Sequence, residues 1–164
     1  MNGKRHILSI FVDNQPGVLS RIAGLFSGRG YNIESLCVAE TTDSHTSRLT
    51  MVTIGDDAIV EQIKKQLNKL INVIKVLDLT TTPCIQRELV LIKVRAKPEF
   101  RAEILRIVDI FRGKVVDVGP DNFSIEVTGS EDKLQAIITM LTPIGIKEIA
   151  RTGTIALQRD AASH

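Results

Sequence analysis

The order of the predicted secondary structure constrains this chain most, because one pattern of strands and helices occurs twice within 164 residues. In the first half, alternating or continuous apolar segments predict strands, and two segments with apolar residues at helical spacing predict helices. The predicted strands are 6–13, 32–40, 47–54 and 73–79, and the helices start near Gly17 and Asp56. The resulting order, β-α-β-β-α-β, is typical of a ferredoxin-like unit.

The second half repeats this order with a shorter middle hairpin. Its predicted strands are 87–96, 114–119, 122–128 and about 145–157, with helices over 99–112 and after Ser130. We therefore predict an α+β protein built from two consecutive βαββαβ ferredoxin-like domains. The predicted domains are residues 1–80 and 86–164, joined by a linker at 81–85.

Helical spacing also predicts which side chains pack on each sheet. In the first helix these are Val18, Ile22 and Phe26, and Gly28 and Gly30 should end that helix. The corresponding faces of the next two helices are Ile59, Ile63, Leu67 and Leu70, and then Ile104, Leu105, Val108 and Phe111. Acidic pairs at 56–57 and 131–132 lie where helices begin, so helix capping explains them better than acid–base catalysis does.

Composition argues against two classes of binding partner. The net charge of +2 is too small to attract nucleic acid, and Phe123 is the only aromatic residue on the predicted central strands. No apolar run approaches the ~18–20 residues that span a membrane. Cys37 and Cys84 lie far apart, without C-x-x-C spacing, which indicates reduced thiols. We expect a cytoplasmic protein that binds neither nucleic acid nor membrane.

Residues capable of catalysis are scattered along the chain. His6 opens an edge-like segment, His45 lies in a polar turn and His164 is the last residue, so a shared metal site is not expected. Cys37 lies within an apolar strand, and Cys84 has no basic residue beside it. No phosphate-binding loop or nucleophile motif occurs. The sequence predicts no enzyme activity, no metal and no cofactor in this chain.

The first strand-to-helix turn and the start of the second strand have the character of a ligand site. N–H groups at a helix N-terminus bind carboxylates, and Gly17 lets a ligand approach the backbone. Asn14 and Asn32 can accept from an ammonium group or donate to a carboxylate. The alternative is structural, with Asn14 as helix cap, Pro16 setting the first turn and Asn32 as a turn residue. The candidate effector-binding residues are Asn14, Pro16, Gly17, Val18, Leu19, Asn32 and Ile33.

The same residues carry a resemblance to a known family. The run DNQPGVLSRIAGLFSGRGYNIESL, residues 13–36, closely resembles the opening of the small regulatory subunit of acetohydroxyacid synthase (acetolactate synthase), an ACT-domain protein. The general ACT pattern accounts for the Pro-Gly-Val-Leu turn and the helix, whereas residues 25–36 are more specific to this subunit. Similar matches are Ile110-Phe111-Arg112-Gly113 and Ala150-Arg151-Thr152-Gly153, so the resemblance covers essentially the whole chain.

The resemblance implies a first domain of the ACT type and a non-catalytic role. A separate catalytic subunit would hold thiamine diphosphate, Mg²⁺ and FAD and would condense pyruvate with pyruvate or 2-oxobutyrate. This chain would raise that activity and confer feedback inhibition by a branched-chain amino acid, typically valine. Its ACT domains would pair as a homodimer, with the effector between residues 14–19 of one protomer and 32–33 of the other.

Two other functions remain open at this point. A stand-alone ACT-domain sensor that controls another metabolic enzyme would bind an amino acid without binding acetohydroxyacid synthase. A small βαββαβ enzyme would turn over a substrate as the isolated chain. The sequence does not distinguish valine, leucine and isoleucine as the effector.

Overall fold

A computed structural model describes residues 3–27 and 31–160 of the chain. These residues form two compact units, each with the predicted βαββαβ order. The first unit extends to Ile85 and also includes the chain from Thr154 onward, whereas the second covers Gln86–Gly153. The final segment therefore belongs with the first unit, although the predicted limits placed it in the second domain.

The first unit is an antiparallel sheet covered by two helices. Its elements are β1 (Lys4–Asp13), α1 (Val18–Ser27), β2 (Asn32–Glu40), β3 (Thr46–Gly55), α2 (Asp57–Lys69) and β4 (Val73–Asp78). The strand order is β2-β3-β1-β4, so β2 and β4 are the edge strands. Asp13 lies opposite Thr46, and Asn32 lies opposite Ile54. Because both β1 and β2 are antiparallel to β3, they run in the same direction.

The first core lies between this sheet and its helices. α1 buries Val18, Ile22 and Phe26, which confirms the predicted face. α2 buries Val60 instead of the predicted Ile59, which is 38% exposed. The predicted helix stop at Gly28 and Gly30 lies outside the described residues.

The second unit has the same topology with a shorter middle hairpin, as predicted. Its elements are most of β5 (Cys84–Arg95), a 3-10 turn (Pro98–Phe100), α3 (Arg101–Ile110), β6 (Lys114–Val118), β7 (Asn122–Gly129), α4 (Glu131–Leu141) and β8 (Ile146–Arg151). The strand order is β6-β7-β5-β8. β5 starts at Cys84, inside the predicted linker, and α3 buries Ile107 where Leu105 was predicted.

The predicted long last strand is divided in two. β8 ends at Arg151, and a ninth strand, β9 (Ile155–Gln158), follows it. Gly153 lies between them with φ of 85°, a left-handed conformation that interrupts a strand and that glycine adopts without strain. Within the described residues, no helix is long and apolar enough to cross a membrane.

Candidate effector-binding site

Asn14 ties the turn after β1 to the loop between β2 and β3. Its backbone N–H donates to the carbonyl of His45 at 2.8 Å, and its Nδ2 donates to the carbonyl of Ser44 at 2.9 Å and to Oε1 of Glu40 at 3.0 Å. Both side-chain contacts are with groups that accept hydrogen bonds, which fixes the orientation of the amide. Oδ1 is therefore the atom that Asn14 has available for a ligand, and it is an acceptor.

The backbone conformation at the start of α1 favours glycine at position 17. Its φ is 86°, which L-residues with a side chain rarely adopt. A Cβ built on Gly17 would meet no atom within 4 Å, so the space beside this residue is open. Pro16 and Gly17 are both exposed, and the first turn of α1 presents N–H groups that have no partner within the helix. The turn can therefore admit an anion to the helix N-terminus.

The predicted apolar residues of the site differ in exposure. Val18 is only 5% exposed and belongs to the first core. Ile33 is half-buried and packs against the same core, whereas Leu19 is 46% exposed. Leu19 is thus the predicted apolar residue with the most surface for a ligand.

The two parts of the predicted site lie at opposite ends of the first sheet. Asn14 directly follows Asp13, at the end of β1 that lies opposite Thr46. Asn32 pairs with Ile54, next to the end of β3 that lies opposite the start of β1. Nine residue steps along a strand span about 30 Å. One chain therefore does not bring Asn14 and Asn32 together.

Other candidate residues from the sequence have structural roles. His6 lies on the central strand β1, not at an edge as expected, and is 3% exposed, with Nε2 placed 3.1 Å from the Gly55 carbonyl. Phe123 is buried beside the Arg101 guanidinium, so its ring cannot stack with a base. Cys37 and Cys84 are half-buried and form no disulfide. Within the described ranges, no three His, Cys, Asp or Glu side chains are grouped as metal ligands.

The second unit contains an ion pair that the sequence did not predict. Arg151 donates from Nε and Nη2 to Oε1 of Glu88, whose side chain is 6% exposed. The next residue, Thr152, accepts from the Leu89 N–H at 3.1 Å and donates to the Gly153 carbonyl at 2.8 Å. These contacts give the run Ala150-Arg151-Thr152-Gly153 a structural role in joining β8 to β5.

The run at 110–113 also has a structural explanation. Arg112 adopts φ of 54°, and the Gly113 N–H donates to the Val108 carbonyl at 2.8 Å, which closes the end of α3. A Cβ on Gly113 would lie 2.9 Å from Cγ2 of Val127 and 3.1 Å from the Glu126 carbonyl oxygen. Glycine is therefore needed here for the close approach of α3 to β7.

Two ferredoxin-like units, the first with an open helix N-terminus directly after the central strand β1, place this chain in the class of ACT-type α+β proteins. Sequence models of two families match it. One is described as an "AHAS small subunit-like ACT domain" and matches residues 8–75; the other is described as "Small subunit of acetolactate synthase" and matches residues 87–160. The chain belongs to the family of acetolactate synthase small subunits.

Individual relatives support this assignment over nearly the full length. The acetolactate synthase small subunit of Aquifex aeolicus is 55% identical over 159 residues, which is 96% of this chain and 82% of that protein. A probable acetolactate synthase small subunit of Archaeoglobus fulgidus is 53% identical over 94% of this chain and 97% of its own length. The crystal structure of the small subunit from Thermotoga maritima is 42% identical, with a TM-score of 0.89, and the match covers 97% of this chain and 99% of that one.

Proposed function

We propose that this chain is the regulatory subunit of an acetolactate synthase, which raises the activity of a separate catalytic subunit and makes it sensitive to a branched-chain amino acid. Membership of the small-subunit family supports the regulatory role. The turn at Asn14–Leu19 supports an amino-acid effector, because one short segment offers N–H groups for a carboxylate and an acceptor oxygen for an ammonium group. Valine is the effector that we propose to test first.

The carboxylate of the effector binds at the N-terminus of α1 beside Gly17, where N–H groups and the positive end of the helix dipole favour an anion. The ammonium group of the effector donates to Oδ1 of Asn14, because this oxygen can only accept a hydrogen bond. The same ammonium group lies near the carboxylate of Glu40. Leu19 contacts the aliphatic side chain. This arrangement places each charged group of a zwitterion against a group of the opposite character.

A homodimer formed along β2 completes the site. β2 is an edge strand, and two identical edge strands related by a two-fold axis pair in antiparallel fashion. If Asn32 of one protomer lies beside Glu40 of its partner, it also lies near the partner's Asn14, which is bonded to that Glu40. Asn32 and Ile33 then form the second wall of the effector site, which they cannot do within one chain.

Feedback follows if the effector binds one arrangement of the two protomers better than another. A ligand shifts an equilibrium only by its difference in affinity for the two states. An effector that contacts both protomers has different affinities for the two arrangements. Any change in the relative position of the protomers alters the distance between the two walls of the effector site. The catalytic subunit, which we propose holds thiamine diphosphate, Mg²⁺ and FAD, would be less active with the effector-bound arrangement.

Reconstitution tests this function directly. Acetolactate formation from pyruvate is measured for the purified catalytic subunit alone, with this chain, and with this chain plus valine. We expect the chain to raise the rate, valine to lower it again, and the isolated chain to form no acetolactate. Turnover by the isolated chain would contradict the regulatory function. Valine binding without any effect on the catalytic subunit would favour a stand-alone ACT sensor that controls another enzyme.

A further inference from the structure

A cavity lies within the first unit, lined by residues of α1 and of the segment that follows α2. It has a volume of about 300 Å³ and lies between α1 and the loop that joins α2 to β4. Its apolar wall includes Val18, Ile22 and Leu70, together with Ile71, which is 90% exposed at the mouth. A cavity of this size is at the lower end of the range for small-molecule sites.

The polar groups around this cavity are cationic. Arg21 projects from α1, Lys69 lies at the end of α2, and no acidic side chain is among the residues that line the cavity. Asn72 orients Arg21, since Nη1 of Arg21 donates to Oδ1 of Asn72 at 2.7 Å. Nδ2 of Asn72 donates to Oδ2 of Asp13 at 3.3 Å, and Asp13 is not among the described residues that line the cavity. The remaining N–H groups of Arg21 are suited to a carboxylate.

We propose that this cavity binds small aliphatic carboxylates that carry no ammonium group. The carboxylate pairs with Arg21 and Lys69, and the aliphatic chain lies against Leu70 and Ile71, the apolar lining residues that have exposed surface. A free amino acid is disfavoured because its ammonium group would lie between two cations, with no carboxylate in the lining to compensate it. The site lies within one chain, so the proposal does not depend on the dimer or on the feedback function.

Three molecules with one carbon skeleton separate these contributions. 3-Methylbutanoate has the carboxylate and the branched chain, valine adds an ammonium group, and 3-methylbutan-1-ol lacks the charge. Each is titrated into the full chain with methyl-labelled Ile, Leu and Val, and the Ile71 methyl shift is followed by NMR. We expect 3-methylbutanoate to saturate this shift with a dissociation constant on the order of 1 mM, as suits a ligand of about seven heavy atoms. Valine and the alcohol should bind there at least about tenfold more weakly.

Variants test the named cations against matched controls. Arg21→Gln should weaken 3-methylbutanoate binding about tenfold, since it removes a charge-assisted pair. Lys69→Gln should weaken it about twofold to fivefold, as expected for an exposed cation. The controls are Arg106→Gln, on the exposed face of α3, and Lys65→Gln, exposed on α2. Both should leave the dissociation constant unchanged, and circular dichroism should show that all four variants are folded.

Several results would overturn this proposal. One is an Ile71 methyl shift that does not saturate with 3-methylbutanoate. Another is valine binding at Ile71 with the same dissociation constant as 3-methylbutanoate. The third is a folded Arg21→Gln protein whose affinity for 3-methylbutanoate is unchanged. Valine at the proposed effector site is monitored separately through the Leu19 methyl groups. A reconstituted enzyme that ignores valine would therefore contradict the proposed function and leave the Ile71 titration unaffected.

Discussion

At the scale of single residues, Glu88 shows how burial makes a partner necessary. Its carboxylate is 6% exposed and accepts two hydrogen bonds from Arg151, whose side chain is 41% exposed. Removing the arginine would leave a buried charge without compensation, which costs more than the pair contributes when intact. Lys93 and Glu148 form a similar contact at 2.9 Å, but on the exposed surface of the same unit.

Arg151→Met should therefore destabilise the protein by about 2 kcal/mol. Lys93→Met serves as the matched control, and its effect should be much smaller because water screens that pair. The free energy of unfolding of both variants is measured by urea denaturation, monitored by circular dichroism. Equal losses of stability in the two variants would show that burial of Glu88 does not control the effect.

Asp78 makes the stability of the first unit depend on pH. Burial by itself would raise the pKa of Asp78, but hydrogen bonds from Thr80 and Lys64 outweigh burial and hold that pKa below its usual value. Lys64 lies 3.2 Å from Asp78, and its hydrogen bond to Glu61, together with the contact with Asp78, raises the pKa of Lys64. A carboxyl group whose pKa is lowered by folding stabilises the folded state above about pH 4 and loses that contribution as the pH falls through the lowered pKa.

Asp78→Asn should consequently lower the urea midpoint at pH 7 and have a much smaller effect near pH 2.5. Glu103→Gln, at an exposed position of α3, is the control and should change the midpoint little at either pH. If Asp78→Asn lowers the urea midpoint by the same amount at both pH values, the charge of Asp78 does not stabilise the fold.

At the scale of elements, periodicity predicted the order of strands and helices in both units, because strands and helices bury residues at different spacings. It failed to distinguish neighbouring apolar residues on α2 and α3. Ile59 and Val60 both fit a helical spacing with Ile63, and only packing on the sheet determines that Val60 is buried. The division of the last strand depends on the left-handed backbone at Gly153, which the apolar pattern around it does not reveal.

The edge strand β2 gives the proposed dimer a specific register. Leu36 lies midway between Asn32 and Glu40, so antiparallel pairing that places Asn32 beside the partner's Glu40 brings two Leu36 residues together at the two-fold axis. Leu36→Cys, in a protein that also carries Cys37→Ser and Cys84→Ser, should form a disulfide-linked dimer under mild oxidation. Non-reducing electrophoresis measures this, and sedimentation should give about twice the mass of one chain.

Ile74→Cys in the same background is the control, because Ile74 is exposed on the opposite edge strand, β4. It should remain uncross-linked under the same oxidation. Cross-linking at Ile74 but not at Leu36 would place the dimer contact on the other edge of the sheet.

At the scale of the whole molecule, the candidate site is predictable only in part. Gly17 and Asn14 could be selected from the sequence because a helix N-terminus after a strand has a recognisable pattern. The acceptor role of Asn14 could not, since it depends on Ser44 and Glu40, which lie about 26–30 residues away and occupy the amide nitrogen. The separation of Asn14 from Asn32 follows from the register of three strands, and local sequence does not contain that register.

The central claim is that an amino-acid effector binds at the N-terminus of α1 and regulates a catalytic subunit. Gly17→Asp places a carboxylate where we propose that the effector's carboxylate binds, and Gly17→Asn has nearly the same shape without the charge. Both residues tolerate a positive φ better than other L-residues do, so each variant should fold with a strain of about 1 kcal/mol. Comparison of the two isolates the electrostatic effect.

The measurement is a valine titration of acetolactate formation by the reconstituted enzyme with the wild-type, Gly17→Asp and Gly17→Asn chains. Charge-assisted hydrogen bonds contribute roughly 1.5–3 kcal/mol each, so Gly17→Asp should weaken inhibition about tenfold to several hundredfold, while activation is largely retained. Gly17→Asn should weaken inhibition much less. If a folded Gly17→Asp chain is as sensitive to valine as the wild type, the effector does not bind at this helix N-terminus.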